Sequence, residues 1–311
     1  LSGTYAMALS SSTQSALSWV IVGRGAIGLL AAARLQQAGY TATLWLKQPD
    51  AVQLKFTDLK QQSQHRILRP QPTDTAIQRV LVPVKAYDVL NAVAQLVPFL
   101  ANDAQLVISH NGIIPIEPLL ALLRPAQGLW FLSTSQAAYK PAAHHVVHTG
   151  EGKSYITKLT ASDSDDNQTI AAMSAALGPV NVVSDIYPMR WLKLAVNAAI
   201  NPLTAIENCQ NGQLAQPQYR AQISALTTEV CQVAAALGYP MDPANTLQTV
   251  YQVISATSDN FSSMQQDIQA GRQTEIVAIC GYICQQAAQL QLAVPANQQM
   301  LNQILAKTTT S

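Results

Sequence analysis

Lys193, Asn197 and Asn201 are spaced four apart within the stretch Arg190 to Gly212, RWLKLAVNAAINPLTAIENCQNG. On a helix of 3.6 residues per turn they fall on one face. The residues between them, Leu192, Leu194, Ala195, Val196, Ala198, Ala199 and Ile200, are apolar or small, so the helix reads as buried. A lysine desolvated among such neighbours releases its proton more easily, and it steadies negative charge that develops beside it. Carboxamides donate to carbonyl and carboxylate oxygens without adding charge. The structural alternative is that Lys193 snorkels to solvent while the asparagines serve as surface or cap residues. Pro202 is expected to kink or end the helix just past Asn201, with an exposed turn continuing through Asn208, Asn211 and Gly212.

The elements that must carry this set come from a chain of 311 residues, long enough for one large or two ordinary domains. Hydrophobic residues make up 49%, ample for a core, and only 11% are charged. A net charge of +1 gives no electrostatic case for nucleic acid or an anionic membrane. No uninterrupted apolar run is long enough to span a bilayer. The first residues lack a basic start and a sustained apolar core, so a signal peptide is not expected and a cytoplasmic protein is. Met7 is taken as the natural start, with residues 1–6 a non-native remnant and 1–18 partly disordered. Cys209, Cys231, Cys280 and Cys284 form no CxxC pair and read as reduced, buried thiols.

Trp19 to Gly23 is a short β-branched run suited to a buried parallel strand. It leads into Gly23-Arg24-Gly25-Ala26-Ile27-Gly28, a complete GxGxxG, followed by an apolar helix pattern that closes at Gly39 and a second strand, Thr41 to Leu46. In this context Gly23 makes the tight turn, Gly25 lets the backbone approach a pyrophosphate, and Gly28 allows close helix–strand contact. The helix amino terminus then offers free N–H groups to the phosphates. At the end of the second strand, where an NAD-binding chain usually carries an acidic residue, stands Lys47. A cation there suits a 2′-phosphate and favours NADP(H). Asp50 competes but lies past a proline in a turn, and Arg24 either adds charge or points to solvent.

Residues 51–78 are polar and weakly periodic, strands or loops at a sheet edge. Strands follow at Arg79–Val84, ending at Lys85, at Leu106–Ser109, ending at His110-Asn111-Gly112, at Leu129–Ser133 and at Ala143–His148. The polar strand ends fall where a doubly wound sheet binds its ligand. Asp163, Asp165 and Asn167 imitate the start of a calcium loop, but position six is Gln168 and position twelve Ser174, so no calcium site is expected. His144, His145 and His148 lack partners at ligand spacing, so no metal is expected. Ser133 to Ser135 lacks a GxSxG. Helical patterns then run over 190–206, 213–237, 243–257, 262–270, 274–290 and 295–306. The boundary is placed near residue 185, giving an α/β fold: residues 1–184 a Rossmann-type NADP-binding domain, residues 185–311 an all-helical substrate domain, the active site in the cleft between them and a hinge at the boundary.

In the helical part, Ser263 with Gln266 fits a capping box, a role compatible with holding a substrate carboxylate at a helix amino terminus. Glu275 heads the apolar run IVAICGYIC, where it could simply complement the helix dipole.

Taken in order, the glycine loop, Val84-Lys85-Ala86, His110-Asn111-Gly112, Lys193 to Asn197, Asn201 to Ile206, Asn208 to Gly212, Asn260 to Asp267 and Arg272 to Ile276 resemble the ketopantoate reductase family over residues 19 to about 300. The resemblance implies NADPH-dependent reduction of 2-dehydropantoate to (R)-pantoate, a step towards pantothenate and coenzyme A. It implies Lys193 as proton donor, with Glu275 also catalytic. Asn111, Asn197, Asn201, Asn211, Asn260, Phe261, Ser262 and Ser263 would bind substrate beside Lys193. Gly23, Arg24, Gly25, Ala26, Ile27, Gly28, Lys47, Lys85, Asn111, Ala138 and Glu275 would face the cofactor. Two departures stand out: Lys47 occupies a place where the family suggests arginine, and Leu132–Gly150 departs from the usual turn, which bears on Ala138. A paralogue reducing another 2-oxo acid and a non-catalytic NADP-binding sensor are the alternatives. The partner expected is a small 2-oxo acid, with no nucleic acid and no membrane, and the chain is expected as a monomer or homodimer.

Overall fold

The computed structural model describes residues 18–161 and 166–309. The expectations for residues 1–17, Met7 among them, and for Asp163 and Asp165 lie outside the described residues. Contacts divide the chain into two units. One comprises the chain to Val84 with Asp88–His110 and Ile116–Ile186; the other comprises Lys85–Tyr87, Asn111–Pro115 and the chain from Tyr187 onward.

The first unit is α/β. Its strands are β1 (Ser18–Val22), β2 (Thr41–Trp45), β3 (Val52–Thr57), β4 (Ser63–Pro70), β5 (Ile77–Val82), β6 (Leu100–Ile108), β7 (Gly128–Thr134), β8 (Ala137–Ala142), β9 (His145–Gly150), β10 (Ser154–Lys158) and β11 (Val180–Val182). Its helices are α1 (Ala26–Gln37), α2 (Val89–Leu96), α3 (Glu117–Leu120) and α4 (Asp166–Leu177). Among the described residues the sheet order is β11-β10-β7-β6-β5-β1-β2-β4-β3-β9-β8. From β7 to β4 every neighbouring pair is parallel. Parallel strands are covered on both faces, which is why β1 and β7 read as continuous apolar runs and are buried almost throughout. Helix α1 earns its place by its composition: Leu29, Leu30, Ala31, Ala32, Ala33 and Leu35 are all sealed from solvent. Strand β5 stops at Val82, because Pro83 cannot donate to a ladder.

Residues 51–78 differ from expectation. They form β3 and β4, which lie inside the sheet, and the hairpin β8–β9 supplies the edge. Lys55, Phe56 and Thr57 pair in parallel with His145, Val146 and Val147. The alternation in VQLKFT buries Val52, Leu54 and Phe56 on one face, a period-two signal that the surrounding polar residues dilute.

The second unit is helical: α5 (Tyr187–Glu207), α6 (Arg220–Ala236), α7 (Pro243–Ala256), α8 (Ser263–Gln269), α9 (Cys280–Gln289) and α10 (Pro295–Thr309). Helix α5 is its axis and packs on α6, α7, α8 and α10. Trp191, Leu194, Ala195, Ala198 and Leu203 are buried along it; each large side chain so placed contributes about 1.5–3 kcal/mol.

Three expectations need correction here. Pro202 neither ends α5 nor marks an exposed turn, since the helix continues to Glu207 with Asn201 through Ala205 buried. Proline removes one hydrogen bond, and packing on both sides outweighs that loss. The Thr204 hydroxyl lies 2.9 Å from the Ile200 carbonyl and 3.1 Å from that of Asn201, giving the backbone a side-chain partner at this point. The run from 274 is not one helix: a single 3-10 turn over Ile276–Ala278 precedes Ile279, whose φ of −104° and ψ of −93° break the path before α9 begins. Likewise Asn211–Ala215 and Pro217–Tyr219 are 3-10 turns, and α6 starts only at Arg220. Among the described residues no helix is long and apolar enough to cross a membrane, and no three His, Cys, Asp or Glu side chains gather as metal ligands. The four cysteines are free.

Candidate functional site

The first unit presents a backbone-built anion cradle. Gly23 follows β1 at φ +80°, a conformation that favours glycine, and its N–H donates to the Trp45 carbonyl at 2.9 Å. Gly25 is the residue before α1, with extended backbone. A Cβ there would touch only the Pro83 carbonyl oxygen, at 3.9 Å among the described residues, so the space in front of the helix end is open. Gly28 differs: its Cβ would press to 3.1 Å on Pro83 Cγ and 3.3 Å on Ile21 Cγ2. The helix therefore lies close on β1, as the spacing predicts. Ala26 and Ile27 complete the first turn, which holds no acidic residue, and its leading N–H groups have no partner within the helix. This combination suits a pyrophosphate.

Arg24 and Lys47 are both exposed, Lys47 two residues beyond β2. Ala138 lies in β8 opposite His148, its side chain against the apolar core of this unit. A residue the sequence does not single out is Lys140 of the same strand. Its ammonium donates to the Arg24 carbonyl at 2.9 Å and places a further cation at the glycine loop.

The second unit holds a side-chain cluster drawn from distant segments. Glu275, 5% exposed, accepts from the Ala86 N–H at 3.0 Å through Oε1. Its Oε2 accepts from Asn111 Nδ2 at 3.1 Å and from the Lys85 ammonium at 3.4 Å. Lys85 is closer still to Asp267, at 2.7 Å, and Asp267 also accepts from Arg272 Nε at 3.0 Å. Burial pulls the Lys85 ammonium down, but the charges of Glu275 and Asp267 outweigh it and hold it above its ordinary range. The Glu275 carboxylate therefore does not cap the turn that follows it; among the described residues it accepts from Lys85, Ala86 and Asn111.

Lys193, on α5, is crowded by protein while keeping part of its surface open. Desolvation brings its ammonium down to about 8, against the opposing pull of Glu275 and with a small push from Arg190. One turn on, Asn197 Nδ2 is buried with no hydrogen-bond partner among the described residues. Such a donor costs about 1–3 kcal/mol unless something accepts from it. Asn201, a further turn along, is buried.

Asn211, expected on an exposed turn, is buried as well. Its Nδ2 donates to Thr257 Oγ1 at 2.9 Å, its N–H donates to the Asn260 carbonyl at 2.9 Å, and its Oδ1 is buried without a donor among the described residues. Asn260, Phe261 and Ser263 are exposed, and Ser262 is buried. The helix cap is Ser262 rather than Ser263: its Oγ accepts from the Gln265 N–H at 3.1 Å and lies 2.7 Å from Thr204 Oγ1. The pairing shifts by one residue because Thr204 holds Ser262, while Gln266 turns back to the Phe261 carbonyl.

The cluster thus joins Lys85, Asn111 and Glu275 directly, couples Lys193 to them through charge, and leaves Arg24, Lys47 and Ala138 in the other unit. Sequence reading misses Asp267 as a member. Its signal is present, since Met264 and Asp267, three apart, share a buried face, and an acid on such a face requires a cation. A shallow hollow lined by Pro188, Leu192, Met241 and Asp242 contains none of these residues and belongs to the outer side of α5 and α7.

Two family models match the chain. One, described as ketopantoate reductase PanE/ApbA, covers residues 19–161; the other, ketopantoate reductase PanE/ApbA C terminal, covers residues 185–308. The chain is 36% identical over 287 residues to a 2-dehydropantoate 2-reductase of Vibrio cholerae, covering 92% of this chain and 96% of that one. Among solved structures it resembles a PanE/ApbA family ketopantoate reductase from Ralstonia eutropha JMP134, with a TM-score of 0.83 at 23% identity over 94% and 99% of the two chains. It also resembles D-mandelate dehydrogenase solved with NADH and anilino(oxo)acetate, with a TM-score of 0.84 at 18% identity over the same shares.

Proposed function

The chain belongs to the ketopantoate reductase family of oxidoreductases, and from that premise we propose that it reduces 2-dehydropantoate to (R)-pantoate with NADPH, Lys193 giving the proton. The observation that carries this reading is a desolvated ammonium, poised at about 8, on the same face as a buried carboxamide N–H that lacks an acceptor among the described residues. A 2-oxo acid offers oxygens for both.

A bound reduced nicotinamide supplies a hydride to the keto carbon. Everything else falls to the chain. Gly23, Gly25 and the start of α1 hold the pyrophosphate by backbone N–H groups. Lys47, and Lys140 beside the Arg24 carbonyl, supply positive charge for a 2′-phosphate; a lysine gives a point charge rather than a fork, so the preference over NADH is moderate. As the carbonyl oxygen gains charge, the Lys193 ammonium stabilises it and then transfers its proton. Its lowered proton affinity makes that transfer easier, while Glu275 keeps enough of it charged at neutral pH to act. Asn197 and Asn201 hold substrate oxygens, with Asn211 Oδ1 free to accept from a substrate hydroxyl. Glu275 keeps Asn111 and Lys85 in place, and the Asn260–Ser263 segment closes the substrate side.

The test is the decay of NADPH absorbance with 2-dehydropantoate, run beside NADH and beside 2-oxoisovalerate. Fast decay with NADPH and 2-dehydropantoate, slower decay with NADH, and at most weak decay with 2-oxoisovalerate are expected. Preference for 2-oxoisovalerate would move the substrate to another 2-oxo acid and keep the mechanism. Tight NADPH binding without turnover on either acid would point to a sensor and sink the reading.

A further inference from the structure

We propose that Arg190 is a positioning residue for this reaction: by tying the Gly112 carbonyl to helix α5 it holds Asn111, and through Asn111 Glu275, in register with Lys193. The inference rests on the role given to Lys193 above.

Arg190 is 4% exposed, an unusual place for a guanidinium. Its Nη2 donates to the Gly112 carbonyl at 3.3 Å, and the group lies 5.4 Å from the centre of the Tyr187 ring. Gly112 is held on its other side too. The next N–H, from Ile113, donates to the Ala278 carbonyl at 3.0 Å. Gly112 itself sits at φ +72°, where a Cβ would collide with the Ala278 backbone. Asn111, immediately before it, donates to Glu275 at 3.1 Å. The three-residue segment 111–113 is therefore pinned to the turn that carries Glu275, and Arg190 is the side chain that pins it to the helix that carries Lys193.

The choice of residue is informative. A buried charge costs several kcal/mol unless its partners repay it, and an apolar side chain would fill the same space more cheaply. Arginine gives what a hydrocarbon cannot, a directed bond to a carbonyl and a fixed positive charge. That charge stands three residues before Lys193, so the two side chains leave the same face of the helix. The charged and titratable groups around Lys193 are Arg190 on its own helix, Glu275 opposite, Lys85 and Asp267 paired beyond Glu275, and Tyr187 and Tyr282 flanking Arg190. Arg190 disfavours the protonated lysine and Glu275 favours it, so the register between them sets how readily the proton leaves.

The experiment compares Arg190→Met and Arg190→Lys with the wild type and Lys193→Ala in the full chain, with thermal melts to confirm folding. Turnover of NADPH and 2-dehydropantoate is followed across pH. Arg190→Met should lower kcat by about 10²-fold, because a misplaced Asn111–Glu275 pair no longer matches Lys193. KM for NADPH should stay within about threefold. The alkaline limb of kcat should move to lower pH, because a Glu275 out of register no longer holds the Lys193 ammonium charged, and that loss exceeds the relief of Arg190's weaker like charge. Arg190→Lys should keep the limb near its wild-type position but restore only part of kcat, because a flexible ammonium aims at the Gly112 carbonyl less well than the planar guanidinium does. Unchanged kcat and an unmoved limb in folded Arg190→Met would overturn the inference. A lower Tm and lower kcat with an unmoved limb would overturn it as well, leaving Arg190 a packing residue. Should Arg190→Met fail to fold, Arg190→Gln carries the same expectation and the same refutation. A wild type inactive on 2-dehydropantoate overturns this inference together with the reading it rests on, and so separates that failure from a failure of Arg190 alone.

Discussion

The glycine loop and the Lys85–Asn111–Glu275 cluster solve opposite problems. The loop works through backbone. Its residues are contiguous, from Gly23 to Gly28, three of them carry no side chain, and what matters is where a Cβ is missing. The cluster works through side chains. Lys85, Asn111, Asp267 and Glu275 come from positions up to 190 residues apart, and each is held by another member. A backbone site tolerates drift in side-chain chemistry but not in glycine; a side-chain cluster is the reverse. The first can be read from a short window of sequence, and the second only when the chain has folded.

The sharpest way to test that contrast is Lys193→Ala, which removes one side chain and leaves the backbone cradle alone. Turnover should fall by ~10²–10⁴-fold, while NADPH affinity, measured by fluorescence titration, should stay close to wild type. Equal losses in both would erase the distinction.

Glu275→Gln should have the next largest effect, and its sign is specific. Lys193 acts protonated, so kcat is present below its pKa and lost as pH rises through about 8. Glu275 raises that value; without its charge the ammonium gives up its proton earlier, and the alkaline limb of a kcat–pH profile should move to lower pH by about one unit. An upward shift would contradict the geometry. Lys85 retains Asp267 in this variant, so stability should fall by only about 1–3 kcal/mol in denaturant melts.

On the backbone side, Gly28→Ala should cost about 1–3 kcal/mol, because its new methyl group presses on Pro83 and Ile21 at 3.1 and 3.3 Å. Nucleotide binding should weaken and the kcat–pH profile should keep its shape. A profile that moved would mean that the two regions are not independent. The smallest effect belongs to Lys47→Ala, an exposed point charge. Kd for NADPH should rise about tenfold, roughly 1.4 kcal/mol, with NADH unaffected. Parallel losses for both nucleotides would remove Lys47 from the discrimination.

What the sequence could and could not carry follows the same line. Strand, GxGxxG, helix and strand in close succession leave little freedom, and β1, the loop, α1 and β2 form as the pattern predicts. The four-residue spacing of Lys193, Asn197 and Asn201 is also local, and one helix carries all three. Several local signals, however, were overruled by packing. Pro202 is a residue that kinks or ends a helix, yet buried neighbours on both sides carry α5 past it to Glu207, within the helical pattern read over 190–206. The cap falls on Ser262 rather than Ser263, since Thr204, 58 residues away, approaches the former.

Spacing and composition therefore determined the nucleotide-type cradle, the polar face of the long helix and the two kinds of architecture, because each depends on interactions within about twenty residues. Tertiary structure alone decided that Glu275 binds Ala86 and Asn111 instead of capping the turn that follows it, that Asp267 shares Lys85, and that Arg190 reaches Gly112. Those partnerships depend on which distant charges are buried together. Water screens charges in an open chain, and only a folded interior makes their pairing obligatory.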